Sequence, residues 1–130
     1  MNKEINIMGK VYKCSINAYT PLLYKKTFKS GFMEDLSKLS EIGLKRTELE
    51  KELQGKGLKK EEVEEQINIK LMGSLDDFIE VITQIAYILI LGNDKNFKTY
   101  EDWMSEQETL SIDDSWITEV TEFAVSSFQR

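Results

Sequence analysis

Histidine is absent from this 130-residue chain. Its absence removes histidine-based acid–base and nucleophilic catalysis and the commonest transition-metal ligand. Cysteine occurs once, at Cys14, so no disulfide forms within the chain and a reducing compartment is the expected setting. Cys14 has no basic partner to activate it and reads as a small buried apolar residue in a strand. Lysine and arginine are in deficit, 17 against 23 acids, for a net charge of −6. That balance argues against DNA or RNA as a partner, which calls for a cationic excess to neutralise phosphates. A membrane-spanning segment is also missing, because the most apolar stretch, VITQIAYILIL from Val81 to Leu91, falls short of the roughly 20 residues a bilayer takes. It reads as a buried core helix. The opening MNKEINIMGKVYK lacks the apolar core and cleavage site of a signal peptide, so export is not expected. No P-loop or GxGxxG motif occurs, and nucleotide chemistry is unsupported.

The length suits one domain over residues 1–130, divided into a β-hairpin (1–17), an aromatic and lysine-bearing helical segment (18–40), a charged helical connector (41–60) and a helical core (61–130). Charge is unevenly spread. Residues 1–30 hold six lysines against Glu4, whereas residues 99–130 hold eight acids against Arg130. The expected account is attraction of the two ends within one fold; the alternative is that the acidic end meets the basic end of another copy or a charged partner.

Ile5 and Ile7, then Val11, Cys14 and Ile16, alternate around Gly9-Lys10 and predict the hairpin. Thr20 is placed to cap a helix that opens at Pro21. Leu23, Tyr24, Phe28, Phe32, Leu36 and Leu39 give that segment an inner face, with Lys25, Lys26 and Lys29 toward water and a break available at Ser30-Gly31. Residues 41–66 carry fourteen charges in twenty-six positions. Leu39, Ile42, Leu49 and Leu53 suggest a seam that QGKG (54–57) stops, so a protruding helix or mobile connector is expected. The 3–4 spacing then resumes at Val63, Ile67 and Leu71, and again at Leu75, Phe78, Ile82, Ile85 and Leu89. It predicts one helix to Met72 and, with Ser74 and Asp77 as a capping box, another over Leu75 to Leu91. Thr99 caps a short helix YEDWMSE, and Trp116, Ile117, Val120, Phe123, Ala124 and Ser127 or Phe128 mark a last amphipathic helix entered through SIDDS. The fold class is α+β, an N-terminal hairpin followed by a bundle of about four to five helices.

Acidic doublets recur at Glu34-Asp35, Asp76-Asp77, Glu101-Asp102 and Asp113-Asp114. Adjacent carboxylates on a helix do not face each other, and three doublets lie where helix N-termini favour acids, so they read as structural. DKNFKTYEDWMS (94–105) starts like a calcium loop but has Thr99 where glycine is needed and Ser105 where the bidentate glutamate belongs. No catalytic, cofactor or metal site is expected.

The order of these features, INIMGKVYKCSI, then NAYTPLLYKKTFKSGFMEDL, a glutamate-rich middle, IAYIL and YEDWM, resembles the tail assembly chaperones of long-tailed bacteriophages and prophages of Gram-positive hosts. The resemblance implies a non-enzymatic assembly factor in the host cytoplasm that leaves before the virion is complete. Its partners would be the tape measure protein and the tail tube protein, with self-association into a homo-oligomer also open. It carries over Gly9-Lys10 as the hairpin turn, Ala86-Tyr87 as the core helix and Tyr100 to Trp103 as the late helix. The candidate partner-binding residues are Tyr24, Lys25, Lys26, Phe28, Lys29 and Phe32, with the lysine edge as client or self-association surface. Two alternatives stay open, a structural tail-completion or connector protein of the virion and a small phage regulator that binds a host protein.

Overall fold

The computed structural model describes residues 1–70, 72–108, 110 and 114–127, with the backbone alone for residues 72–75 and 114. Two antiparallel strands, β1 (Asn2–Ile7) and β2 (Lys10–Ser15), precede helices α1 (Thr20–Phe28), α2 (Phe32–Gly55), α3 (Lys60–Lys70), α4 (Met72–Asn93), α5 (Tyr100–Ser105) and α6 (Asp114–Ser126). The α+β class with a dominant helical bundle is therefore observed.

The hairpin pairs Ile5 with Tyr12 and Ile7 with Lys10, which puts Ile5, Ile7 and Cys14 on one buried face. Its turn is Met8-Gly9 rather than Gly9-Lys10. Both turn residues have positive φ, 53° at Met8 and 91° at Gly9, as a two-residue type I′ connection requires. Asn6 Oδ1 accepts a hydrogen bond from the Gly9 amide at 3.1 Å and steadies the bend. Two strands alone are marginal. Here β2 lies on α4 and β1 on α6, so the helices supply the missing layer.

α4 is the hub. Residues 81–83 and 85–90 are all buried, the continuous apolar sequence being covered by β2, α1, α2 and α6. Ile82, Ile85, Ile88 and Leu89 join Ile5, Tyr24, Phe32, Trp103 and Val120 in the main core. Thr83, buried within it, satisfies its hydroxyl on the Ile79 carbonyl at 2.7 Å and on Tyr100 Oη at 2.7 Å. Gly92, in the last turn of this helix, lies against the hairpin, where a Cβ would stand 2.8 Å from the Ser15 carbonyl oxygen. Only glycine allows that approach.

Helix boundaries differ from expectation in three places, while the break available at Ser30-Gly31 is taken. Thr20 does not cap α1; Tyr19 holds the cap position without a side-chain bond, and Thr20 Oγ1 instead accepts from the Asn17 amide at 2.9 Å. α1 ends where Lys29 turns left-handed (φ 62°), its amide donating to the Lys25 carbonyl, so the 18–40 segment is two helices joined through Ser30-Gly31. α2 then runs unbroken to Gly55, so the boundary set between 40 and 41 falls inside one helix. α4 begins at Met72, which makes Gly73 and Ser74 helical backbone rather than a cap and leaves Asp76-Asp77 beyond the first turn. The expectations at Leu71, Ser111 to Asp113, Phe128 and Arg130, and for the side chain of Leu75, lie outside the described residues. The cap at Thr99 is observed, its hydroxyl accepting from the Asp102 amide at 3.2 Å.

The charged connector is ordered as a helical hairpin. Leu53, Val63 and Ile67, flanked by Leu49 and Leu58, form a small second core between α2 and α3, and Arg46 reaches Glu64 at 3.9 Å. Gly57, with φ 78°, makes the reversal after α2. No helix among the described residues is long and apolar enough to cross a membrane.

Candidate functional site

α1 sorts the six candidate residues into two groups. Tyr24 and Phe32 are 0% and 2% exposed and belong to the main core, which corrects their assignment to a partner surface. Aromatic side chains adjoining a lysine edge pack inward here because α4 covers them on the other side. Phe28 is half-buried, tilted against Tyr24 and edge-on to Tyr87 and Tyr100, at centroid spacings of 5.3, 6.0 and 5.1 Å. Lys25, Lys26 and Lys29 stand exposed on the opposite side of the helix.

The lysines are not alone on that face. Leu22 is 63% exposed, and its spacing to Lys25, Lys26 and Lys29 is i, i+3, i+4 and i+7, so the four side chains share one outer stripe. Tyr19, 50% exposed, precedes the stripe, and Met33, 52% exposed, follows it at the start of α2. No acid lies on α1. The same 3–4 spacing was available in the sequence, but Leu22 and Leu23 are adjacent and either could have faced the core. Beside the stripe, Asn17, Tyr19, Thr20, Leu23, Leu91, Gly92 and Lys95 line an open groove of about 520 Å³ between the start of α1 and the end of α4. Its apolar floor is Leu23 and Leu91, both half-buried.

Behind the stripe sits a polar knot that sequence reasoning assigned only to a helix end. Asp35 is 2% exposed; its Oδ2 accepts from Tyr24 Oη at 2.6 Å and from Ser30 Oγ at 2.8 Å, while Oδ1 lies 3.6 Å from Lys38 Nζ and accepts no hydrogen bond. Tyr24 Oη is also 3.1 Å from the Gln84 side chain. With one proton to give, the phenol donates to the nearer, charged oxygen. The knot ties the α1–α2 corner to α4 and holds the outer stripe in place. No pattern along the chain announces it, because Tyr24 and Asp35 meet only through the turn between two helices.

A second aromatic group continues from Phe28. Tyr100, Tyr87, Phe97, Trp103 and Tyr12 follow one another at spacings of 5.7 to 6.5 Å, and Trp103 Nε1 donates to Tyr12 Oη at 3.1 Å. Burial pushes the phenols of Tyr24, Tyr87 and Tyr100 upward from their ordinary pKa, and pushes the Cys14 thiol up to about 12. Cys14 is therefore a protonated, unreactive thiol in the folded chain. In the unfolded chain these groups ionise at about 8.5 to 10, and there the unfolded state holds fewer protons than the folded one. Stability is thus fully present below about pH 8.5 and declines as pH rises through the ordinary thiol and phenol range. Thermal melts between about pH 8 and 11 are expected to show a falling midpoint, and a midpoint flat across that window would contradict the burial of these groups.

No family model, no curated protein and no solved structure matches the chain.

Proposed function

We propose that the chain is a non-catalytic tail assembly chaperone of a long-tailed phage or prophage. In this reading it acts in the bacterial host cytoplasm, binds the tape measure protein through the outer face of α1, and promotes assembly of the tail tube protein around that client. The observation that supports it best is the exposed Leu22 set among Lys25, Lys26 and Lys29, with Met33 beyond them. A client made of long apolar helices needs a holder with an apolar contact at the centre and charge at the rim. The centre covers the client's surface, and the rim keeps the complex dispersed. The face is carried on a helix anchored by buried Tyr24 and Phe32, so it presents a fixed shape rather than a loose segment.

Co-expression with the tape measure protein encoded nearby tests the reading. A client that is insoluble alone is expected to become soluble and to co-purify with this chain. The triple variant Lys25→Glu/Lys26→Glu/Lys29→Glu is expected to keep its helical circular dichroism while recovering about tenfold less client, the loss of a few weak rim contacts together. Undiminished recovery removes the α1 face from the proposal. An insoluble client with no complex removes the chaperone function, and detection of the chain in purified virions assigns it to a structural tail component instead.

A further inference from the structure

We infer that the groove beside α1 is a seat for an acidic amphipathic helix, one large apolar side chain resting on Leu23 and Leu91 while carboxylates reach Lys95 and the lysines of α1. In the proposed reading, on which the choice of client rests, this helix is a segment of the tape measure protein. The client's bound segment thereby acquires a sign and an anchor.

The groove holds about 520 Å³, with an apolar floor of two half-buried leucines and half-exposed Tyr19 at its edge. A floor of that kind takes apolar side chains from a partner. Lys95 is the charged residue among those that line it, and no acid lines it. Asp94, the neighbouring acid in the chain, stands outside the lining, and its Oδ1 accepts from the Asn96 amide at 3.0 Å. One turn along α1 from Leu23 stands Lys26, and Lys25 and Lys29 continue the exposed positive stripe.

These lysines are not neutralised by the described side chains. The ion pairs among the described residues are Lys38–Asp35, Arg46–Glu64, Lys56–Glu52 and Lys98–Glu106. None of them uses Lys25, Lys26, Lys29 or Lys95, and none joins a lysine of the first 30 residues to an acid of the last 32. Direct pairing of the two ends inside one fold, expected from the sequence, is thus not what the described side chains do. An apolar anchor flanked by carboxylates is therefore favoured at this face, and one flanked by lysines is repelled. The helical form of the occupant follows from the period of the stripe. Leu22, Lys25 or Lys26, and Lys29 recur at each turn, about 5.4 Å apart, which matches side chains at every third or fourth position of a partner helix. α1 has nine residues and extends about 13 Å, so the contact takes about two to three turns of that helix.

Fluorescence anisotropy of a labelled synthetic helix tests the assignment with the full chain. The probe is about 18 residues long, with leucine at every third or fourth position and glutamate on both flanks. It is titrated at about 0.15 M salt, where charges more than about 8 Å apart are largely screened and the protein's distant acids contribute little. The wild-type chain is expected to bind it saturably. Lys26→Glu/Lys95→Glu is expected to bind it about tenfold more weakly, as two attractions become repulsions. A probe with alanine in place of its leucines is expected to lose at least as much on the wild-type chain, because the floor then receives no large apolar side chain. Circular dichroism reports whether the variant is folded, and the alanine probe gives its comparison with the protein unchanged. Absence of saturable binding to the wild type, or undiminished binding in either comparison, overturns the inference. Rescue of the tape measure protein without binding of the acidic probe overturns this inference alone. Probe binding with both losses but no rescue of the client upholds the preference of the groove and removes the chaperone reading instead.

Discussion

Replacing Trp103 by alanine is expected to destabilise the fold by about 3 to 5 kcal/mol, the range for deleting a large aromatic from a packed core. Trp103 is 1% exposed and is the point at which α5 meets both the hairpin and α4. Its ring lies 6.1 Å from Tyr12 and 6.0 Å from Tyr87, and its indole nitrogen donates to Tyr12. α5 has only six residues, too short to be stable by itself, so its position depends on its buried anchors, of which Trp103 is the largest and Tyr100 the other. Deletion therefore opens a cavity, leaves the Tyr12 hydroxyl without its donor and leaves Tyr100 as the helix's main remaining anchor. Chemical denaturation read by circular dichroism measures the loss, and Trp103→Phe separates the two causes by retaining most of the volume without the indole N–H. A cost for Trp103→Ala below about 1 kcal/mol would show that the site collapses around the deletion or that the ring is not buried.

Removing a single oxygen atom at Tyr24 is expected to cost about 2 to 3 kcal/mol, more than an ordinary neutral hydrogen bond. The reason lies in the partner. Tyr24→Phe preserves the ring packing against Phe28 and Phe32 but leaves the Asp35 carboxylate buried with Ser30 as its remaining hydrogen-bond donor. Lys38 cannot compensate fully, since it stands 3.6 Å away with its own side chain half in water. Removing the carboxylate as well relieves the unpaired charge, so Tyr24→Phe/Asp35→Ala is expected to cost less than the sum of the two single changes. The coupling in such a cycle should be about 1 to 3 kcal/mol, and strict additivity would mean that the two groups do not interact in the folded state.

These two sites also show how far linear pattern reaches. The 3–4 spacing along Ile82, Ile85 and Leu89 was enough to place a central helix, because a helix that is apolar nearly all round can be stable only when covered. The hairpin was legible from alternation about a glycine, although its turn lies one residue earlier than read, with Met8 in a left-handed conformation that its side chain does not favour. The outer stripe of α1 was partly legible, since Lys25, Lys26 and Lys29 were assigned to water correctly. Leu22 was missed because local pattern cannot decide between two adjacent leucines. Spacing places Tyr24 and Phe32 on the inner face and their burial agrees; only their candidacy as partner contacts fails.

By itself the sequence determined the helix-rich composition, the core face of most helices, the cap at Thr99, and the charge difference between the two ends. Those properties follow from neighbours three or four residues apart, where side chains meet on one helix face. Only the tertiary structure decided that α2 continues through the expected connector, that Asp35 closes a buried knot with Tyr24 and Ser30, and that the basic and acidic ends do not pair within the described chain. Each of these depends on how separate elements dock, and docking is settled by which apolar faces cover one another, not by any spacing within a single element.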